Sequence, residues 1–97
     1  MKTYIMLLNW TQQGIQNIKD SPGRVDAVRK VFQDAGVVFK DFYMTIGQYD
    51  MIAVCEASDD ETIAKLALVT ASAGNARTET LRAFKEDEYR KIISELP

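Results

Sequence analysis

The seven residues at positions 45–51, TIGQYDM, constrain the fold of this chain more than any other stretch. They separate two apolar runs of strand length, residues 37–44 and residues 51–57. Gly47 can adopt a positive φ without a steric penalty, and Asp50 can hydrogen-bond to its own backbone at a turn. The stretch therefore predicts a hairpin tip that joins two antiparallel strands in mid-chain.

Two more strands are predicted near the beginning and the end of the chain. Residues 3–10 are apolar in both alternating sets, which is typical of a strand buried on both faces. Residues 76–84 form a fourth, more polar strand. The polar residues 11–20 predict a connection with room for a short helical turn.

Three helices complete the pattern. Ser21, followed by a proline, is predicted to cap the first helix, and Gly36 is predicted to end it. Ser58, with a glutamate three residues later, has the spacing of a capping box, so it is predicted to open a second helix that ends at Gly74. Residues 85–96 place apolar side chains at helical spacing and predict a last, amphipathic helix.

The order of these elements, βαββαβ plus a C-terminal helix, predicts an α+β fold of the ferredoxin-like type, in one domain spanning residues 1–97. Right-handed crossovers place both main helices on one face of a four-stranded antiparallel sheet. The other face is also apolar, because the first strand is apolar in both alternating sets and the third strand carries apolar residues on both sides. On the third strand, one side has Ile52 and Val54 and the other has Met51, Ala53, Cys55 and Ala57. The last helix can cover part of it, and a second copy of the chain covers it more completely. We therefore expect a homodimer or higher oligomer that resembles a dimeric α/β barrel.

One edge of such a sheet collects the ends of several elements, since the first two strands run up and the last two run down. Aromatic, acidic, basic and amide groups meet there beside apolar walls, a combination that suits a small polar ligand. The candidate ligand-binding residues at this edge are Trp10, Arg24, Tyr43, Tyr49, Asp50, Arg77 and Thr78.

A purely structural role for the same edge is the alternative. Asp50 can cap the turn or pair with Arg24 or Arg77, and Trp10 and Tyr49 can serve as packing residues whose polar tips are satisfied.

Composition excludes several classes of function. The chain has no histidine and one cysteine, Cys55, so histidine-based triads, disulfides and CxxC sites are absent, and no metal site is predicted. Cys55 is expected to be a small buried hydrophobe. The net charge of -2 argues against nucleic acid as a partner. The apolar run at residues 4–8 is too short for a membrane span or a signal-peptide core, so we expect a cytoplasmic protein without a membrane partner.

Several motifs together resemble the GYD-domain family over essentially the whole chain. Gly47, Tyr49 and Asp50 carry the Gly-Tyr-Asp element with one intervening residue. The other motifs are Trp10-Thr11 with Gly14, Ser21-Pro22, and the run GNARTETLRAF at residues 74–84. The resemblance implies a small α+β domain similar to the dimeric α/β barrel proteins, and it implies no particular activity or cofactor.

Two functions follow from these observations. The first is an oligomeric domain that binds a small organic molecule at the Trp10, Tyr49, Asp50 and Arg77 edge. Should it be an enzyme, its chemistry would depend on carboxylate, phenol and guanidinium groups in place of histidine. The alternative is a regulatory or structural interaction module that acts through its oligomer without catalysis.

Overall fold

A four-stranded antiparallel sheet carries the architecture in the computed structural model, which describes residues 1–97. The elements are β1 (Lys2–Trp10), α1 (Gln12–Gln16), a 3-10 turn (Ile18–Asp20), α2 (Ser21–Asp34), β2 (Val38–Met44), β3 (Met51–Ala57), α3 (Asp60–Ser72), β4 (Ala76–Ala83) and α4 (Glu86–Ser94). The strand order β2-β3-β1-β4, with every pair antiparallel, confirms the predicted ferredoxin-like arrangement.

Alternation along the strands divides the sheet into a helix face and an open face. On β1, Tyr4, Met6 and Leu8 are buried beneath the helices, whereas Ile5 and Leu7 point the other way and are half-buried. On β3 the buried side chains are Met51, Ala53, Cys55 and Ala57. The core therefore lies on the helix face.

Helices α2 and α3 cover the helix face unequally. Helix α3 contributes Ile63 and Leu66 to the core, and α2 contributes only Phe32, which is almost fully buried. Val25 and Val28, nearer the start of α2, are half-buried. The first half of α2 therefore packs less tightly on the sheet than its second half.

The open sheet face, defined here by Ile5, Leu7, Ile52 and Val54 at its centre, has no covering layer. Register places Leu81 of β4 beside Ile5 on this face. Helix α4 carries the predicted apolar stripe but buries no residue. Tyr89, Ile92, Ile93 and Leu96 on that stripe are 45–60% exposed. The elongated shape, 52 × 31 × 18 Å, agrees with an extended C-terminal arm.

The hairpin tip forms as predicted. Gly47 has a φ of 133°, a conformation that side chains other than glycine rarely adopt. The Thr45 N–H donates to the Asp50 carbonyl at 2.8 Å, and the Thr45 hydroxyl donates to the Tyr49 carbonyl at 2.6 Å. These bonds close the loop between β2 and β3.

The helix ends confirm some predictions and correct others. Gly36 and Gly74 take φ values of 85° and 84° just after α2 and α3, as expected for C-terminal glycines. The predicted cap at Ser21 is wrong, because the preceding 3-10 turn runs directly into α2 and places Ser21 inside the helix. The predicted cap at Ser58 is also wrong, because Asp59 accepts the Thr62 N–H at 2.8 Å instead. None of the helices combines the length and the apolar character needed to cross a bilayer.

Candidate functional site

Asp50 joins the hairpin tip to the end of β1. Its N–H donates to the Leu8 carbonyl at 2.9 Å, and its carboxylate accepts the Trp10 N–H at 3.0 Å. The Asn9 side-chain oxygen lies 3.1 Å from the same Asp50 nitrogen. Asp50 thus extends the pairing between β1 and β3, and its carboxylate satisfies a backbone donor at the point where the regular ladder ends.

Helix α1 docks on the turn between α3 and β4, behind Trp10. The Thr11 N–H donates to the Asn75 carbonyl at 3.0 Å, and the Thr11 hydroxyl donates to the Gly74 carbonyl at 2.6 Å. Thr11 also caps α1, because its hydroxyl accepts the Gly14 N–H at 3.1 Å. Gly14 is buried here, and a Cβ at this position would lie 2.1 Å from the Asn75 carbonyl oxygen. Only glycine allows this close approach of two backbones.

Arg24 reaches from the first turn of α2 to the α1 segment. Its two terminal nitrogens donate to the carbonyls of Asn17 and Gly14, at 2.8 and 3.3 Å. None of the five ion pairs in the structure includes Arg24. The guanidinium is therefore held in place by neutral carbonyls, and its charge has no carboxylate within ion-pair distance.

Trp10 and Arg24 lie together on a cavity of about 300 Å³ between α2, the end of α3 and the helix face of the sheet. Thirteen of the seventeen lining residues are apolar. The side chains that form most of its walls are Met6, Leu8, Trp10, Val25, Val28, Phe32, Phe39, Phe42 and Met51. The polar members of the lining are Ser21, Arg24, Thr70 and Asn75. A second, more open cavity adjoins it along Trp10, Pro22 and Met44.

The remaining predicted residues lie elsewhere. Tyr43 pairs with Ile52 and Arg77 pairs with Asn9, so both belong to the open sheet face. The Tyr49 hydroxyl donates to Glu79 at 2.6 Å, and this hydrogen bond raises the pKa of Tyr49.

Thr78 pairs with Leu8 in the sheet but does not line the cavity. The structure brings Trp10 and Arg24 to one cavity, links Asp50 to the Trp10 backbone, and places Tyr43, Tyr49 and Arg77 on the opposite side.

The sequence prediction missed most of the cavity. Its lining includes four small residues, Ala27, Ala53, Ala73 and Ala76, at positions where a larger side chain would fill the space. The cluster of alanines around bulky apolar residues was the available signal, and its meaning depends on tertiary packing.

A contact between the buried Tyr4 and the exposed Asp60, at the other end of the sheet, was also missed. The Tyr4 hydroxyl donates to Asp60 at 2.5 Å, and burial is the main cause that raises the pKa of Tyr4 to about 12. Arg82 lies over the same ring, 5.8 Å from its centroid. The pair joins β1 to the first turn of α3, which indicates a structural role.

Cys55 is fully buried, as predicted, and burial raises its pKa to about 11. Its thiol is therefore a poor nucleophile in the folded protein. No group of three or more acidic or cysteine side chains is arranged so that it could hold a metal ion.

Comparison with known proteins places this geometry in a family. The sequence model of the GYD domain matches residues 4–93. The chain is 36% identical over 85 residues to a protein of Thermus thermophilus named glutamine synthetase and cystathionine beta-lyase binding protein, covering 87% of this chain and 90% of that protein.

Two solved structures are similar in fold. The crystal structure of TTHA0845 from Thermus thermophilus matches with a TM-score of 0.55 and 25% identity, over 88% of this chain and 95% of that one. An ACT domain protein from Streptococcus pneumoniae matches with a TM-score of 0.52 and 18% identity, over 100% and 97% of the two chains, and supports the ferredoxin-like fold alone. The family match covers nearly the whole chain, and the chain therefore belongs to the GYD domain family.

Proposed function

We propose that this protein binds a small organic molecule in the cavity beside Trp10 and Arg24, and that it does so as a homodimer. The observation that carries the proposal is the cavity of about 300 Å³, lined mainly by apolar side chains with a few polar groups. Ligand pockets in proteins have this composition and begin at about this volume. The cavity opens to solvent at its rim, where Ala27 and Ala73 are exposed, so a ligand can enter it and cover apolar walls that otherwise face water.

The test is a thermal-shift screen with a matched pair of variants. Val25 lines the cavity from α2, and Val25→Phe is expected to fill it. Val31 lies on the same helix, is exposed and does not line the cavity, so Val31→Phe is the control. A ligand at a hundredfold excess over its Kd stabilises the folded state by about 2.7 kcal/mol, which raises the Tm of a domain this size by roughly 10–20 °C.

The expected result is stabilisation of the wild type and of Val31→Phe, with the effect lost in Val25→Phe. A ligand that stabilises Val25→Phe as strongly as the wild type binds elsewhere and contradicts the proposal.

The proposed partner for the open sheet face is a second copy of the chain. Four strands spaced about 4.8 Å apart, each seven to nine residues long, give a face of roughly 19 × 25 Å in projection. A stable interface needs about 800 Å² of accessible surface on each partner, which is more than the projected area of the open sheet face. The exposed apolar stripe of α4 is therefore required in addition. Tyr43, Tyr49 and Arg77 then belong to the contact between copies.

Oligomeric state is measured by sedimentation velocity near 10 µM, a concentration at which an interface of standard size is normally populated. Ile52→Lys places a charge at the centre of the open sheet face and is expected to give a monomer. Leu68→Lys is the control, because Leu68 is 71% exposed on α3, away from that face. A wild-type monomer contradicts the proposed dimer.

A second candidate is a protein-binding regulatory module. A relative that shares 36% identity is named for binding glutamine synthetase and cystathionine beta-lyase. The observation that favours the same role here is the exposed apolar stripe of α4, since amphipathic helices commonly dock in grooves of partner proteins. Purified glutamine synthetase and cystathionine beta-lyase, from the organism that encodes this chain, should be titrated against the immobilised protein. Ile93→Lys should weaken binding while Leu68→Lys does not.

A further inference from the structure

We propose that the ligand of the cavity is a small, singly charged monocarboxylate with an apolar body, bound through Arg24. This inference rests on the proposed function, and it assigns a chemical class to the ligand. The volume of about 300 Å³ sets the size class, since it lies at the lower end of the range for pockets that bind small molecules.

The charge of the ligand follows from the lining. Arg24 is the single charged residue among the seventeen that line the cavity, and no acidic residue accompanies it there. The half-buried Arg24 guanidinium has no carboxylate partner, and a ligand anion would supply one. Asp26 lines the adjoining, more open cavity, where its side chain is 77% exposed and pairs with Arg29 at 3.1 Å.

The guanidinium also has donors left for such a partner. Arginine carries five N–H donors, and the carbonyls of Asn17 and Gly14 accept from one terminal nitrogen each. The remaining donors stay available for the two oxygens of a carboxylate. Ser21, on the same turn of α2, adds a hydroxyl to the polar part of the lining. The ligand head group is thus recognised at the Arg24 end, and its apolar body lies against Trp10 and the core side chains.

The lining argues against two other classes of ligand. A phosphate ester carries close to two negative charges and is usually held by several cations or a loop of N–H groups, whereas this cavity has one cation. A free amino acid brings an ammonium group, and the lining has no carboxylate to pair with it. A simple organic acid fits both the single charge and the apolar walls.

Three probes of nearly equal size separate these classes. Hydrocinnamate is an aromatic monocarboxylate, hydrocinnamyl alcohol lacks its charge, and phenylalanine adds an ammonium group. Their Kd values should be measured by calorimetry on the intact protein at pH 7. Hydrocinnamate is expected to bind roughly ten- to hundredfold more tightly than the alcohol, the ratio that a charge-assisted hydrogen bond provides.

Two variants assign the effect to Arg24. Arg24→Met keeps an apolar stem and removes the charge, so it should lower the affinity for hydrocinnamate about tenfold or more without weakening the alcohol. Lys30→Met removes one positive charge from the exposed side of the same helix and should leave both affinities unchanged. Because Arg24 also anchors the α1 segment, the fold of Arg24→Met is checked by circular dichroism. The comparison of the three probes on the wild type does not depend on this variant.

The outcomes distinguish the ligand class from the proposed function. Equal binding of hydrocinnamate and the alcohol, or equal binding of phenylalanine, overturns the monocarboxylate class while small-molecule binding stands. An unchanged affinity of a folded Arg24→Met for hydrocinnamate overturns the role of Arg24. Absence of binding by all three probes, together with a thermal-shift screen that finds no ligand, overturns the proposed function itself.

Discussion

Replacing Gly14 with alanine tests the central contact on which the candidate site is built. Gly14 lies in α1, where a helix normally gains up to about 1 kcal/mol when alanine replaces glycine. The tertiary contact of Gly14 predicts the opposite, a loss of stability. The new Cβ would lie 2.1 Å from the Asn75 carbonyl oxygen, whereas ordinary contact begins at 3.4 Å. The obstacle is backbone on both sides, so α1 must move away from the turn between α3 and β4.

The expected cost follows from the bonds that this movement breaks. The Thr11 N–H loses the Asn75 carbonyl, and the Thr11 hydroxyl loses the Gly74 carbonyl. Each such bond contributes about 0.5–1.5 kcal/mol, and groups left unpaired in a partly buried place add to the loss. We expect Gly14→Ala to lower the free energy of unfolding by about 2–3 kcal/mol. That is a large share of the roughly 5–15 kcal/mol available to a domain of this size.

Urea denaturation followed by circular dichroism measures the change, and Gly23→Ala is the matched control. Gly23 lies inside α2, has ordinary φ, and nothing lies within 4 Å of a Cβ placed there. That substitution should leave stability unchanged or raise it by about 0.4–1 kcal/mol. If Gly14→Ala is as stable as the wild type, α1 is not docked as described, and the position of Arg24 loses its support.

Three further predictions concern residues away from the cavity. Asp50→Ala should lower the free energy of unfolding in urea by about 1–3 kcal/mol, because the Trp10 N–H loses its acceptor. Asp50→Asn should recover most of this free energy. A loss below about 0.5 kcal/mol in Asp50→Ala would contradict the structural role of the carboxylate. Cys55, whose pKa burial raises to about 11, should not react with Ellman's reagent at pH 8 until the protein unfolds. In the folded protein the pKa of Cys55 rises from 9.0 to about 11, and that of Tyr4 rises from 10.0 to about 12. The stability that these two groups contribute should therefore be full below pH 9 and be lost as the pH rises through 11 and 12. Tyr4→Phe should remove the part of this fall above pH 10, and an unchanged pH profile would argue against the burial of Tyr4 beside Asp60.

The fold could be predicted from the sequence because its main signals are local. Apolar runs of strand length indicated the first three strands, a more polar run indicated the fourth, and the glycines at the ends of α2 and α3 marked both stops. The errors at the helix starts have one physical reason. Ser21 and Ser58 have suitable side chains, but the conformation of the preceding residues decides where a helix begins, and sequence spacing alone does not fix it.

The candidate site was predicted less well because it depends on side-chain direction. The prediction grouped residues by the edge of the sheet at which their strands end. Successive residues of a strand point to opposite faces, so residues at one edge divide into two groups. Trp10 pairs with Ala76 on the helix face, whereas Arg77 pairs with Asn9 on the open face. The contact of Arg24 with the Gly14 carbonyl required the docking of α1, which no periodicity indicates.

Strand β1 links the two proposed binding events, because it is shared by the cavity and the open sheet face. Met6 and Leu8 line the cavity, and Ile5 and Leu7 lie on the other side of the same backbone. We expect a ligand that shifts β1 on one face to alter the surface offered to a second copy on the other. Such coupling is reciprocal, so a ligand that tightens the dimer binds more tightly to the dimer by the same factor. Titrating hydrocinnamate at protein concentrations below and above the dimer dissociation constant measures that factor, and an affinity independent of protein concentration would show that the two faces act separately.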